Sequence, residues 1–339
     1  MQKKLNEGPL HDAKGHLLEA GYATREVKQY DRAAVKAPWF RIKEWDYYGI
    51  FGEDFGLGLV VADNSYMGLL SLAWFDFRAG CQKDVVEIIP LTRGRLNLPS
   101  SADRGNIRAE HNGFSISYKH ADGGRILQVE APGFESGKGF AAEIFLHQPP
   151  MDRMVIATPF PSDKRAFYYN QKINCLAAEG RAMVAGVEHT FAPDKHFAVL
   201  DWGRGVWAYN NHWYWGSASG LVGGRSFGFN IGYGFGDVSA ASENMIFLDG
   251  RAHKLDQVRF HIPEAGYDKG EWMFTSNDGR FEMRFTPVYN RHDKTDLLIL
   301  RSETNQTFGH FSGHVILDNG DRLDVPNLFG FAEDVFNRW

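Results

Sequence analysis

Cysteine is almost absent from this chain, with only Cys81 and Cys175 among 339 residues. Two distant thiols make no disulfide framework, and neither has a second cysteine nearby to hold a metal. The thirteen histidines form no tight group. His310 and His314 would share a helix face, but on a strand they stand more than about 10 Å apart, too far for one ion. Neither a metal nor another cofactor is expected. No run of about 18 apolar residues occurs, which argues against a transmembrane segment. The N-terminal stretch lacks the apolar core of a signal peptide, so a cytoplasmic protein is the expectation. Basic excess is missing as well: 37 Lys and Arg stand against 42 Asp and Glu, for a net charge of −5. Scattered charge of that balance leaves no footprint for nucleic acid. Sustained 3.6-residue periodicity is absent beyond roughly the first 30 residues, so helices are expected to contribute little.

Glycine and aromatic residues are what the chain has in excess. It carries 37 glycines, above the roughly 7% usual in globular proteins, and 14% aromatics. Period-2 alternation recurs, as where Phe281, Met283 and Phe285 alternate with Glu282 and Arg284. Asp122-Gly123, Asp249-Gly250, Asp278-Gly279 and Asn319-Gly320 punctuate such runs, and these pairs accept the positive φ angles of hairpin turns. The expected fold class is all-β and antiparallel.

The chain also echoes itself. "KEWDYYGIFGEDFGLGLVVAD", from Lys43, and "NHWYWGSASGLVGGRSFGFNIGYGFGD", from Asn211, follow one pattern of polar residue, Trp, aromatic pair, Gly and Phe-Gly alternation. Trp45 and Trp213 are the matching tryptophans, about half the chain apart. Two tandem barrels are therefore expected, at 39–195 and 196–339, after an N-terminal extension at 1–38. In the second copy Phe227, Phe229, Ile231, Tyr233 and Phe235 alternate with Gly228, Asn230, Gly232, Gly234 and Gly236. One face of that strand is bulky and the other nearly bare. A bare face lets backbones cross closely or leaves space in a lumen.

The stretches "TPFPSDKRAFYYNQKINCLAAEG", "LDWGRGVW", "HWYWGSASG", "GFNIGYGFGDVSAASENMIFLDGRAHKL" and "GFAEDVFNRW" resemble a family defined only as a domain of unknown function (DUF2804). More distantly, the order "EWDYYG", "FYYNQKINCLAAEG", "DWG", "WYW" resembles a superfamily of tandem lipocalin-like proteins. That group includes carotenoid 1,2-hydratase (hydroxyneurosporene synthase), tocopherol cyclase, kievitone hydratase and lipocalin-like Diels–Alderases. The resemblance implies two lipocalin-like (calycin) barrels packed together, with a ligand cavity at or near their junction. It also implies chemistry on apolar, often isoprenoid, substrates without a metal or nucleotide. Here Asp201 abuts Trp202 directly, whereas the superfamily spaces its Asp from the Trp-Gly.

The candidate site residues cluster in 201–220, which crowds Trp and Gly around one Asp, one Arg and one His. Hydrating an alkene or starting a cyclisation needs a proton donor in a dry cavity, and burial keeps a carboxyl group protonated. Asp201 is the expected acid, with Trp202, Trp207, Trp213, Tyr214 and Trp215 as cation-stabilising faces. In the other reading Arg204 pairs with Asp201 and stacks on a Trp, closing the barrel and lowering the Asp pKa. His212 stands where Glu44 stands in the first copy and is a candidate proton shuttle. Glu243 is a further candidate for proton handling and, with Asp237, Asn230 and Asn244, is expected at a cavity rim. Alternation puts Tyr168 and Lys172 on one strand face and Tyr169 on the other; Lys172 and Tyr169 are candidate ligand contacts. "GSASG" is no nucleophile elbow, because Ala218 stands where the serine belongs. The Gly-x-Gly spacings lack a βαβ context for a dinucleotide. Because DWGRG has no counterpart in the first half, function is expected to concentrate in 201–207. Two functions follow: cofactor-independent hydration, dehydration or cyclisation of an isoprenoid or other lipid, or carriage of an apolar small molecule without change. A module with a solidly packed lumen is the third reading.

Overall fold

The computed structural model describes residues 2–297 and 300–338. Three short strands lie in the N-terminal segment: β1 (Gly8–Pro9), β2 (Gly21–Ala23) and β3 (Lys28–Gln29). A first large sheet follows, from β4 (Ile42–Phe51), β5 (Phe55–Asp63), β6 (Met67–Asp76), β7 (Cys81–Pro90), β8 (Ile107–His111) and β9 (Phe114–Ala121). It continues through β10 (Gly124–Ala131), β11 (Phe140–His147), β12 (Met154–Phe160), β13 (Asp163–Val184), β14 (Val187–Phe191) and β15 (Phe197–Val206). The second sheet comprises β16 (Asn210–Val222), β17 (Arg225–Tyr233), β18 (Met245–Leu248), β19 (Arg251–Lys254) and β20 (Val258–His261). Its remaining strands are β21 (Trp272–Ser276), β22 (Phe281–Leu297), β23 (Leu300–Ile316) and β24 (Arg322–Arg338).

The first sheet runs in the order β7-β6-β5-β4-β15-β13-β11-β10-β9-β8, with β12 and β14 pairing along the long β13. The second runs β19-β18-β17-β16-β24-β23-β22-β21-β20. Both are antiparallel and curl into barrels, as the alternation and turn pairs require. Asp249 and Gly250, at φ 48° and 77°, form the two-residue turn between β18 and β19. Each half places a meander first and lays its last strand beside the meander's opening strand: β15 beside β4, and β24 beside β16. The sheet changes between Val206 and Asn210 rather than at 195/196. The DWGRG strand is thus the closing strand of the first barrel, not the opening of the second.

The interiors are filled by the chain itself. Trp202, Tyr48, Tyr169, Phe167 and Ile116 pack inside the first barrel, and Trp272, Phe229, Phe274, Phe285 and Phe311 inside the second. The bare face of β17 does not open a lumen. A Cβ on Gly228 would come within 2.6 Å of Cys175 Sγ, so this face marks the close approach of β17 to β13 of the first barrel. Cys175 sits at a bulge in β13 with φ 61°, and its N–H donates to Ser219 Oγ at 3.0 Å. A third apolar cluster joins the outer faces of the sheets: Phe51, Phe75, Phe77 and Val199 from one side, Trp215, Phe308 and Phe331 from the other. The N-terminal segment reaches both barrels. β2 pairs with β12, while Gln2 Nε2 donates to Leu255 O at 2.8 Å.

Candidate functional site

A cavity of about 310 Å³ lies between the two barrels, walled by their outer faces. Opposed residues of an antiparallel pair share a face, so the register explains which side chains meet there. Across the first sheet, Lys172 on β13 is opposite Asp201 on β15, Asp201 is opposite Tyr47 on β4, and Tyr47 is opposite Val60 on β5. Across the second, Trp215 on β16 is opposite Glu333 on β24, which is opposite Gln306 on β23. All seven line the cavity. With Trp45 and Trp213 as matching residues, Tyr47 matches Trp215 and Asp201 matches Glu333. The two carboxyl groups therefore occupy equivalent places on facing walls.

Their surroundings differ. Asp201 accepts from Asn170 Nδ2 at 2.6 Å and pairs with Lys172 Nζ at 2.9 Å. The ammonium also sits over the Trp215 ring, 3.6 Å from its centre. Glu333 accepts from Trp213 Nε1 at 3.1 Å and from Gln306 Nε2 at 3.0 Å, and neither donor is a cation. Burial pushes its carboxyl group up from 4.5 to about 7. Glu243 is a third carboxyl group in the cavity, and burial raises it as well. It fits because Gly232 is bare: a Cβ there would meet Glu243 Oε1 at 2.8 Å. Burial disfavours the charged form of the two carboxyl groups that Lys172 does not touch.

One end of the cavity is an aromatic box around Phe235, whose ring centre lies 4.7–5.4 Å from those of Tyr168, Trp207 and Trp213. Trp45 stacks on Tyr168 at 6.0 Å and meets Trp207 edge-on at 5.0 Å. The glycine after Trp202 has a specific reason: the Trp45 indole lies where a Cβ of Gly203 would be. Toward the other end stand Arg291 and Asp293, paired at 2.5 Å.

Of the residues singled out in the sequence, Asp201, Glu243, Lys172, Trp207, Trp213 and Trp215 come together here, and Tyr168 shares the Lys172 face as alternation implies. Others do not reach the cavity. Trp202 and Arg204 point into the first barrel, because strand alternation turns them away from Asp201. Arg204 is fully buried, pairs with Asp46 at 2.9 Å, donates to Pro99 O at 2.6 Å and stacks on Trp202 at 4.1 Å. The Arg–Trp plug exists, but Asp46 rather than Asp201 is its carboxylate. Tyr169 is also internal, its hydroxyl donating to Lys28 O at 3.0 Å. His212 and Tyr214 lie on the opposite face of β16. The His212 ring bonds the exposed side's Asp334 at 2.6 Å, and Tyr214 stacks on Tyr233. Asn230 and Asn244 are brackets behind the wall. Asn230 accepts from Trp215 Nε1 at 2.7 Å and donates to Glu243 O at 2.9 Å; Asn244 accepts from Gly232 N at 2.7 Å. Asp237 caps a turn by accepting from Ser239 N at 3.0 Å. The site is also wider than 201–207, since the second barrel supplies about half of its lining.

Sequence reasoning missed Glu333, Gln306, Tyr47 and Arg291. A signal for Glu333 was present: an acid followed six positions later by Trp occurs at Asp201 and Trp207 and again at Glu333 and Trp339. Among the described residues, no group of three or more His, Cys, Asp or Glu is placed to hold a metal ion, and no helix is long and apolar enough to cross a membrane.

Two solved structures share the architecture. A putative AttH from Nitrosomonas europaea aligns with a TM-score of 0.55 at 14% identity, over 87% of this chain and 92% of that one. Kievitone hydratase from Nectria haematococca aligns with a TM-score of 0.50 at 10% identity, over 88% of each chain. At such identities the likeness is one of fold. No curated protein matches the sequence. The family model described as Domain of unknown function (DUF2804) matches residues 2–339, and the chain belongs to that family.

Proposed function

We propose that the junction cavity carries out proton-transfer chemistry on an apolar, alkene-bearing small molecule, an isoprenoid or other lipid, with Glu333 as the acid. The observation that carries this reading is a buried carboxyl group, hydrogen-bonded to the Trp213 indole and in no ion pair among the described residues, inside an aromatic-walled cavity. A proton passed from Glu333 to an alkene carbon leaves a carbocation, which the faces of Trp213, Trp215 and Tyr47 stabilise through their quadrupoles. Water adding to that cation gives an alcohol and returns its surplus proton to the Glu333 carboxylate. The reverse sequence is dehydration, and capture by a second alkene of the same molecule is cyclisation. Asp201, held by Lys172 and Asn170, contributes fixed negative charge facing the cation rather than the proton. That kievitone hydratase has this fold is in keeping with the reading.

Carriage without chemistry is the second reading, and the complete pairing of Asp201 with Lys172 favours it. The deciding experiment incubates wild type and Glu333→Gln with a cellular lipid extract and follows both by mass spectrometry. Catalysis predicts products differing by one water, or rearranged isomers, with wild type alone. A compound enriched unchanged by both proteins identifies a carrier. Enrichment of no apolar compound overturns both readings.

A further inference from the structure

The cavity wall does not stop at the cavity. Across the first sheet, Trp45 is opposite Ala62, Ala62 is opposite Leu69 on β6, and Leu69 is opposite Ile88 on β7. These four share one face. The first three line the cavity, while Ile88 is 56% exposed. The neighbouring row repeats the pattern: Tyr47, Val60, Ser71 and then Val86, 52% exposed. Single exposed apolar side chains are ordinary, but these two continue the wall in register. They also stand on the end strand of the sheet, flanked on the same face by Asp84 and Pro90. At the near end of β7 the second barrel covers the strand, with Tyr289 Oη donating to Gln82 Oε1 at 3.4 Å. Farther along, at Val86 and Ile88, the apolar side chains face solvent.

We infer that this shelf holds the extended apolar tail of the molecule whose reacting end lies at Glu333. The inference rests on the proposed function for where that end sits. Three strand spacings separate Trp45 from Ile88, about 14 Å of apolar floor. The ligand is accordingly a long-chain amphiphile: a head of limited polarity near Lys172 and Glu333, and a flexible hydrocarbon chain leaving past Ala62 and Leu69 over Ile88. A compact fused-ring molecule would fill the aromatic box and leave the shelf bare.

The test titrates the protein with octan-1-ol and tetradecan-1-ol, reading binding by tryptophan fluorescence, and compares wild type with Ile88→Gln. Val187→Gln, at an exposed apolar position on β14, is the control. Wild type is expected to bind the long alcohol at least tenfold more tightly than the short one. Ile88→Gln is expected to weaken the long alcohol roughly tenfold while sparing the short one, and Val187→Gln to change neither. Binding of both alcohols with no length dependence, or a length dependence that Ile88→Gln does not alter, overturns the shelf but leaves the acid chemistry standing. Sedimentation showing a dimer that Ile88→Gln dissociates also overturns it, because the face would then belong to a second copy. Failure of both alcohols to bind removes the cavity reading itself, whereas loss of turnover in Glu333→Gln bears only on the chemistry.

Discussion

Asp201 and Glu333 sit in equivalent slots of two related barrels, one strand from an aromatic residue on one side and one strand from a polar residue on the other. In the first barrel the polar neighbour is Lys172; in the second it is Gln306. That exchange of a cation for an amide separates two carboxyl groups that share a cavity: one is paired with an ammonium, the other is held uncharged to near neutral pH. A second exchange reinforces the first. Gly203 lets the Trp45 ring lie flat across the strand, whereas Val335 stands in the matching place opposite Trp213. Trp213 cannot lie down in the same way, and its indole N–H reaches Glu333. Duplicated architecture with one altered neighbour is enough to give two acids different surroundings.

The strongest way to break this comparison is to remove the cation. Lys172→Met leaves Asp201 buried beside Asn170 alone, and unfolding in urea should show a loss of about 4 kcal/mol at neutral pH. A loss under about 1 kcal/mol, the size of an exposed pair, would contradict a buried ion pair. Next comes the second carboxyl group. The folded-state pKa of Glu333 is raised, so its stabilising contribution is complete below 4.5 and is lost as pH rises to about 7. The size of that loss is about 3 kcal/mol. Glu333→Gln should remove this portion of the pH–stability curve, and Gln306→Lys should flatten it by supplying the missing ammonium.

A smaller effect tests the glycine exchange. Gly203→Ala forces a methyl group into the Trp45 ring and should cost about 2 kcal/mol, against about 1 kcal/mol for Val335→Ala, which only trims a side chain. Equal costs would mean that Trp45 is free to move aside. The smallest effect belongs to His212→Ala. This half-exposed residue pairs with Asp334 on the far face of β16, so stability should change by under about 0.5 kcal/mol and turnover not at all.

Much of this was open to reading in the residues. Period-2 alternation and Asp-Gly turns gave the antiparallel sheets, and the match of Trp45 with Trp213 gave the two barrels. Alternation also placed Tyr168 and Lys172 on a common face. What the pattern could not tell was which face of a strand looks into its own barrel and which looks across at the other. Trp202 and Arg204 are as aromatic and polar as Trp213 and Lys172, yet they pack inward against Asp46 and Tyr169. Asp46 and Asp201 are both acids on neighbouring strands, and only the register shows that Arg204 belongs to the first. Glu333 was hidden because the echo was sought in the opening strands, where tryptophans advertise it, and not in the closing strands, where a single acid and a single Trp carry it.

The packed interiors of the two barrels have a consequence for how this protein can change. Where a barrel binds its ligand in the lumen, every substitution that reshapes the pocket also reshapes the core, and selection must accept both effects at once. Here the pocket side chains project from the backs of the same strands whose fronts make the cores. Val60, Ala62, Gln306 or Val335 can vary, and the shape of the cavity with them, while Leu59, Val61 and Ala332 stay as they are. The two requirements are written on alternate residues of one strand, and a lineage can keep its fold while it reshapes its cavity.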